Sequence, residues 1–256
     1  MSMWSVTLAR AYAPARMASI AENILQVRGR ISSACRAFDR LPSTVHLMAV
    51  SKTFPGVSVR EAFAAGQRDF GENYVQEALA KIAELAQLST NADDPLRWHL
   101  IGPLQSNKAR EVAANFDWVH SIDRMKLAQR LSDLRPPTMA PLQVCLQVNI
   151  SGEQSKSGIA PEAALALARE VATLPRLKLR GLMAIPEPAG DLAAQREPHL
   201  ALRKLFEALN GEGLGLDTLS IGMSADLEAA IAEGATWVRV GTAIFGSRPA
   251  KSEPAV

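Results

Sequence analysis

The chain is short of several things, and each shortage removes a class of protein. Only two cysteines, Cys35 and Cys145, occur in 256 residues. They lie far apart and show no metal-ligand spacing, so neither a disulfide framework nor a zinc site is expected, and a reducing cytoplasm is the expected compartment. Cys145 falls inside an apolar, strand-like run, the place of an inert core thiol. An excess of one charge is also missing. The 28 Lys and Arg against 26 Asp and Glu leave a formal charge of +2, too even to argue for nucleic acid or an acidic membrane surface. No apolar run approaches the roughly 18–20 residues needed to span a bilayer. There are two tyrosines, Tyr12 and Tyr74. No low-complexity segment, internal domain boundary or sequence repeat is apparent.

What is present is apolar side chain. Hydrophobic residues make up 48% of the sequence, enough for a large core, and about 250 residues is the usual size of one α/β barrel. Residues 1–18 carry Arg10 and Arg16 with no acid before Glu22, and lack the apolar region of a secretory signal. They are expected to be a disordered extension, with a transit peptide as the alternative, and Met17 is a plausible alternative start. Ser19 followed by Glu22 has the form of a capping box. Ile20, Ile24, Val27, Ile31, Cys35 and Phe38 then recur at helical spacing. Ordered structure is expected over 19–248, with a short tail at 249–256.

From there strands and helices alternate. Residues 45–52 (VHLMAVSK) form an apolar run closed by turn residues, which predicts a strand buried on both faces. Ser58 with Glu61 predicts a second capping box. Further strands are expected at 68–73, 97–102, 118–123, 142–150, 177–185, 219–223 and 236–245. Helices are expected at 74–88, 105–115, 124–134 (capped by Asp123 and stopped by Pro136 and Pro137), after Pro161, at 191–209 and at 225–233. Parallel sheets are built from such units, and eight of them in about 250 residues favour a closed (β/α)8 TIM barrel over an open sheet.

In such barrels the chemistry lies at the C-terminal ends of the strands. Those ends carry Ser51 and Lys52, Glu72 and Asn73, His99 and Gly102, Ser121 and Asp123, Asn149, Met183 and Pro186, Met223 and Ser224, and Arg239 with Gly241 and Thr242. Ser224 stands where a helix N-cap would be, Gly241 allows close backbone approach and Thr242 offers a hydroxyl. The last two strand ends thus suit a phosphate, with ordinary capping and a glycine turn as the plainer reading. Arg239 shares a strand face with Trp237 and Gly241, and a buried guanidinium must find an acceptor. A partly desolvated Lys52 has a lowered pKa and can attack an aldehyde to form a Schiff base. An amine, a phosphate cradle and an arginine facing one cavity fit pyridoxal 5'-phosphate (PLP). Arg239 would meet the pyridine nitrogen without sharing a proton, leaving a ring that is a poor electron sink.

The segments LMAVSK, FGENYVQE, WHLIGPLQSNK, LQVNISGEQSKSGI, GLMAIP and LSIGMSADLEAAIAEGATWVRVGTAIFG together resemble the YggS/PROSC family of PLP homeostasis proteins, over nearly everything from Ser19 to Gly246. The resemblance implies the barrel of the alanine racemase N-terminal type, with an extra N-terminal helix and PLP on Lys52. It also implies cofactor contacts at Asn73, Met223, Ser224, Arg239, Gly241 and Thr242. His99 either lines the cofactor face or is a satisfied strand-end histidine. Lys156 is a loop lysine that contacts a phosphate, offers a second amine or is merely solvated.

The chain stops about ten residues after Gly246, so the C-terminal β-domain of alanine racemases, with its catalytic tyrosine, is not expected. Racemisation needs proton exchange on both faces of the substrate carbon. The expectation is therefore a non-enzymatic, monomeric, cytoplasmic PLP-holding protein, with apo PLP enzymes as possible recipients and no metal. The alternatives are an amino-acid racemase-like enzyme using His99 or Tyr74 as base, and a Schiff-base aldolase acting on a phosphorylated carbonyl.

Overall fold

The computed structural model describes residues 18–90, 94–152 and 157–247. The expected extension (apart from Ala18), the expected tail and Lys156 lie outside these residues. Eight parallel strands close into one barrel in chain order. They are β1 (His46–Val50), β2 (Asp69–Glu72), β3 (Arg97–Leu100), β4 (Trp118–Ile122), β5 (Leu142–Gln147), β6 (Leu177–Met183), β7 (Thr218–Ser220) and β8 (Trp237–Val240). β1 pairs with both β2 and β8, and Met48 sits opposite Arg239 across the closing seam.

Alternation sorts the side chains into two layers, because successive residues of a strand point to opposite faces. Met48, Val50, Trp118, Cys145, Met183 and Trp237 fill the barrel interior. Leu47, Ala49, Phe70, Val119, Val144, Val238 and Val240 face outward and pack with the surrounding helices. Trp237 and Arg239 thus lie on the opposite face from their valine neighbours, as the alternation predicts. Both cysteines are buried and unpaired with one another, and burial pushes the Cys145 thiol far up.

The helices are α1 (Ile20–Ala37), α2 (Gly56–Ala64), α3 (Val75–Glu84), α4 (Ala86–Thr90), α5 (Ala109–Asn115), α6 (Met125–Leu134), α7 (Ala164–Ala172), α8 (Leu192–Gly211), α9 (Leu227–Ala232) and α10 (Thr242–Phe245). The capping box at Ser19 is formed in full. Asp191 caps α8 through the Ala194 N–H at 2.9 Å.

Several local expectations fail, each for an identifiable reason. α2 opens at Gly56 with Pro55 as its N-cap, so Ser58 is already in the first turn and its N–H bonds the Pro55 carbonyl at 3.0 Å. No second capping box exists there. Asp123 does not cap α6; it pairs with Arg124 at 2.5 Å, and Arg124 takes the N-cap position. The helix expected over 74–88 is interrupted at Leu85. The one expected over 105–115 begins as a short 3-10 turn, Ser106–Lys108. β7 ends at Ser220, before the expected close. β8 ends at Val240, because the Gly241 carbonyl accepts the N–H groups of Ile244 (2.8 Å) and Phe245 (2.9 Å) and coils the chain into α10.

Candidate functional site

At the C-terminal end of the strands a cavity of about 280 Å³ is lined by Val50, Lys52, Phe54, Asn73, Ile101, Ile185, Met223, Ser224, Ala225, Arg239, Gly241, Thr242 and Gly246. All seven residues expected to hold the cofactor are among them. Strand parity delivers several. Val50 points inward, and two residues on so does Lys52; Gly71 meets the interior Met48 sulfur, and two residues on Asn73 opens into the cavity. The same step leads from the interior Met183 to Ile185 and from Arg239 to Gly241.

Arg239 is 3% exposed. One terminal nitrogen donates to the Ser220 carbonyl and, at 3.0 Å, to the Ser220 hydroxyl; the other donates to the Ala184 carbonyl at 2.8 Å. Its acceptors are thus two carbonyls and a hydroxyl from β7 and the loop after β6, in place of a carboxylate. Burial lowers its pKa to about 10, partly offset by the field of Asp226. It therefore stays a cation at neutral pH.

The turn carrying Met223 and Ser224 is held from three sides. Asp226 accepts the Met223 N–H at 2.6 Å. Arg30 on α1 donates to the Ser224 carbonyl at 3.0 Å and pairs with Glu228 at 2.9 Å. His199 on α8 lies 3.0 Å from Asp226. α9 begins at Leu227 with Asp226 at the N-cap position, so Ser224 is not the cap that its place after the seventh strand suggests. Its hydroxyl is left to the cavity wall it lines. Across the mouth, a Cβ on Gly241 would sit 3.2 Å from the Val50 carbonyl, tighter than side chains normally pack. Glycine is what lets β8 turn so close to β1. Asn23 of α1 donates to the Ile244 carbonyl at 2.8 Å and so braces the second turn as well.

Other strand-end residues are turned away. Glu72 points outward to Ser51 and Lys81. Ser121 donates to the Gly102 carbonyl at 2.7 Å, and Met183 belongs to the barrel interior. His99 is fully buried between Asp69 and His120, 3.0 Å from each, which settles it as a satisfied histidine below the site. Burial, together with His99 and Arg239, pushes His120 well down, so it is neutral. Tyr74 is 59% exposed and does not line the cavity. Phe54, Ile101 and Ile185 are not among the strand-end residues read from the sequence; a two-residue step from the inward-facing His99 and Met183 leads to the two isoleucines.

The donor set suits a phosphorylated aromatic aldehyde. Asn73 Oδ1 is buried without a hydrogen-bond partner, an acceptor waiting for a donor group in the cavity. The same cavity is lined by an amine, a cationic guanidinium, two hydroxyls and a glycine turn, with apolar Val50, Phe54, Ile101 and Ile185 completing the wall. Among the described residues no cluster of metal-ligating side chains occurs.

Fold and cavity together define a barrel of the alanine racemase N-terminal class, and the model of that domain matches residues 17–249. An alanine racemase from Corynebacterium glutamicum has the same fold at 15% identity, with a TM-score of 0.66, 91% of this chain covered and 62% of that one. Within the class, the chain is 63% identical over 232 residues to a pyridoxal phosphate homeostasis protein of Pseudomonas aeruginosa, covering 91% of this chain and 97% of that one. PipY of Synechococcus elongatus, solved with PLP bound, is 40% identical with a TM-score of 0.76, over 89% of this chain and all of that one. This chain belongs to the pyridoxal phosphate homeostasis protein family.

Proposed function

We propose that this protein binds PLP in the cavity at the barrel mouth, buffers the reactive aldehyde and supplies it to apo-enzymes. Lys52 forms the Schiff base. Ser224, Gly241 and Thr242 hold the phosphate, Arg239 faces the pyridine nitrogen, and Asn73 and Met223 contact the ring. The observation that carries the reading is the meeting of all seven residues on one cavity, with the unpartnered Asn73 oxygen among them. PLP when bound supplies an aldehyde that captures amines and a ring that can withdraw electrons.

The surrounding residues favour holding over turnover. Arg239 remains a cation with a pKa of about 10, too weak an acid to transfer a proton to a pyridine nitrogen, so it can offer the ring a hydrogen bond but no proton. A racemase needs a base on each face of the substrate carbon. The two residues considered for that role do not serve: His99 is sealed in the barrel and Tyr74 faces solvent. The reading takes residues 19–248 as one PLP-binding domain acting as a monomer in the cytoplasm. Among the described residues no helix is long and apolar enough to cross a membrane.

The test is a visible spectrum of the purified protein with and without borohydride, followed by peptide mapping. A yellow protein whose colour is bleached by borohydride, with a pyridoxyl group on Lys52 and no colour in Lys52→Ala, is expected. A steady-state racemase or decarboxylase rate in the ordinary enzyme range would overturn the holding role.

A further inference from the structure

We propose that Lys81, a second lysine buried behind the site, is the positioning residue that fixes Lys52; this rests on the reading of Lys52 as the aldehyde's anchor. Lys81 lies on α3, 4% exposed, in the layer between the sheet and the helices. An ammonium has three N–H donors, and the Lys81 ammonium meets three acceptors. These are the Ser51 carbonyl at 2.7 Å, Glu72 Oε1 at 2.8 Å and Glu77 Oε1 at 2.7 Å. Its donors are taken, and it does not line the cavity, so it is no rival for the aldehyde.

What it grips is the backbone on both sides of Lys52. The Ser51 carbonyl belongs to the peptide unit entering Lys52. The unit leaving it ends in the Thr53 N–H, which donates at 2.6 Å to the same Glu77 oxygen that Lys81 holds. Ser51 also donates its hydroxyl to Glu72 Oε1 at 2.6 Å. Thr53 has φ +69°, a left-handed conformation that a β-branched residue adopts only when its surroundings impose it. The turn presenting Lys52 is therefore held in a strained shape by a buried lysine and two glutamates, with the Lys52 side chain aimed the opposite way. An amine that must meet one aldehyde carbon gains from such preorganisation, and misplacing a reacting group by about an ångström can cost up to about 10²-fold.

The experiment loads wild type, Glu77→Gln, Lys81→Met and the double variant with PLP. It measures the rate of PLP release to an excess of an apo-enzyme trap, the pH midpoint of the visible band, and the melting temperature. Glu77 is partly exposed, so Glu77→Gln is expected to fold normally yet release PLP about tenfold faster, with a shifted midpoint. Lys81→Met is expected to release faster still, and the double variant no faster than Lys81→Met, since both act through one clamp. Unchanged release and midpoint in a folded Glu77→Gln protein would overturn the proposal and leave the PLP reading intact. Absence of a borohydride-fixed pyridoxyl group on wild-type Lys52 would instead overturn both.

Discussion

His199 Nε2 lies 3.0 Å from one oxygen of Asp226, whose other oxygen accepts the Met223 N–H at 2.6 Å. A histidine on α8 thus orients the carboxylate that shapes one of the two turns at the cavity mouth. Asp226→Ala is expected to release Met223 and Ser224 from their fixed places and to weaken PLP binding about tenfold, a loss in the range of one charged hydrogen bond. His199→Ala should do the same to a smaller extent. Spectral titration with PLP measures both, and equal affinity in all three proteins would remove the turn from the binding account.

Arg239 joins two tasks that one substitution can separate. Arg239→Met removes the guanidinium donors from the Ala184 and Ser220 carbonyls in the barrel core, leaving the Ser220 carbonyl only the long 3.4 Å bond from the Ala184 N–H. Stability should fall by about 1–3 kcal/mol, with a melting temperature several degrees lower. PLP affinity should fall by more than tenfold even at temperatures where the variant is fully folded. Calorimetry and titration on one preparation separate the two losses.

Acid should act through Asp69. Burial alone would raise its carboxyl, but the hydrogen bonds from His99 and Arg97 outweigh it and hold it at about 2. Its ordinary value is 3.8, so the folded form binds this proton less readily than the unfolded chain. The resulting stability, about 2 kcal/mol by proton linkage, is complete above pH ~4 and lost as pH falls toward ~2. Asp69→Asn should flatten the dependence of the melting temperature on pH in that window. An unaltered acid limb in the variant would assign acid sensitivity to other carboxylates.

Two glycines give opposed tests of packing. A Cβ at Gly181 would lie 1.8 Å from the Thr218 carbonyl, between β6 and β7. Gly181→Ala should therefore force these strands apart and cost about 3 kcal/mol or more. A Cβ at Gly102 would lie 2.4 Å from the Asn73 carbonyl. Gly102→Ala should push Asn73 out of register with the cavity, lowering PLP affinity as well as stability. Loss of stability alone in the second variant would show that Asn73 is not part of the binding surface.

Much of this architecture is legible in the sequence because a barrel strand is a short apolar run with turn residues at its end. Parity then assigns Lys52, Asn73, Arg239 and Gly241 to one mouth with no further information. Apart from the break at Leu85 inside the helix expected over 74–88, the failures lie at element ends. Ser58 and Ser224 have the right side chain for a cap, yet Pro55 and Asp226 sit closer to the turn each helix uses. β8 ends early because Gly241 can fold against Val50, a tertiary fact. Lys81, Asn23 and Arg30 are hidden in the sequence for a different reason. Each reaches the site through another element, and nothing in a linear sequence says which helix will lie behind which turn.

Asn23 and Arg30 belong to the first helix of the described chain, and the turns they brace follow its last two strands. β1 likewise has no partner on one side until β8 arrives. Synthesis runs from the N-terminus, so these braces and that seam must wait until β7, β8 and the turns after them have been made. A chain still attached to the ribosome can carry Lys52 for most of its synthesis without a pocket around it. The pocket around Lys52 is therefore complete only once β8 has joined β1, in one step with closure of the barrel.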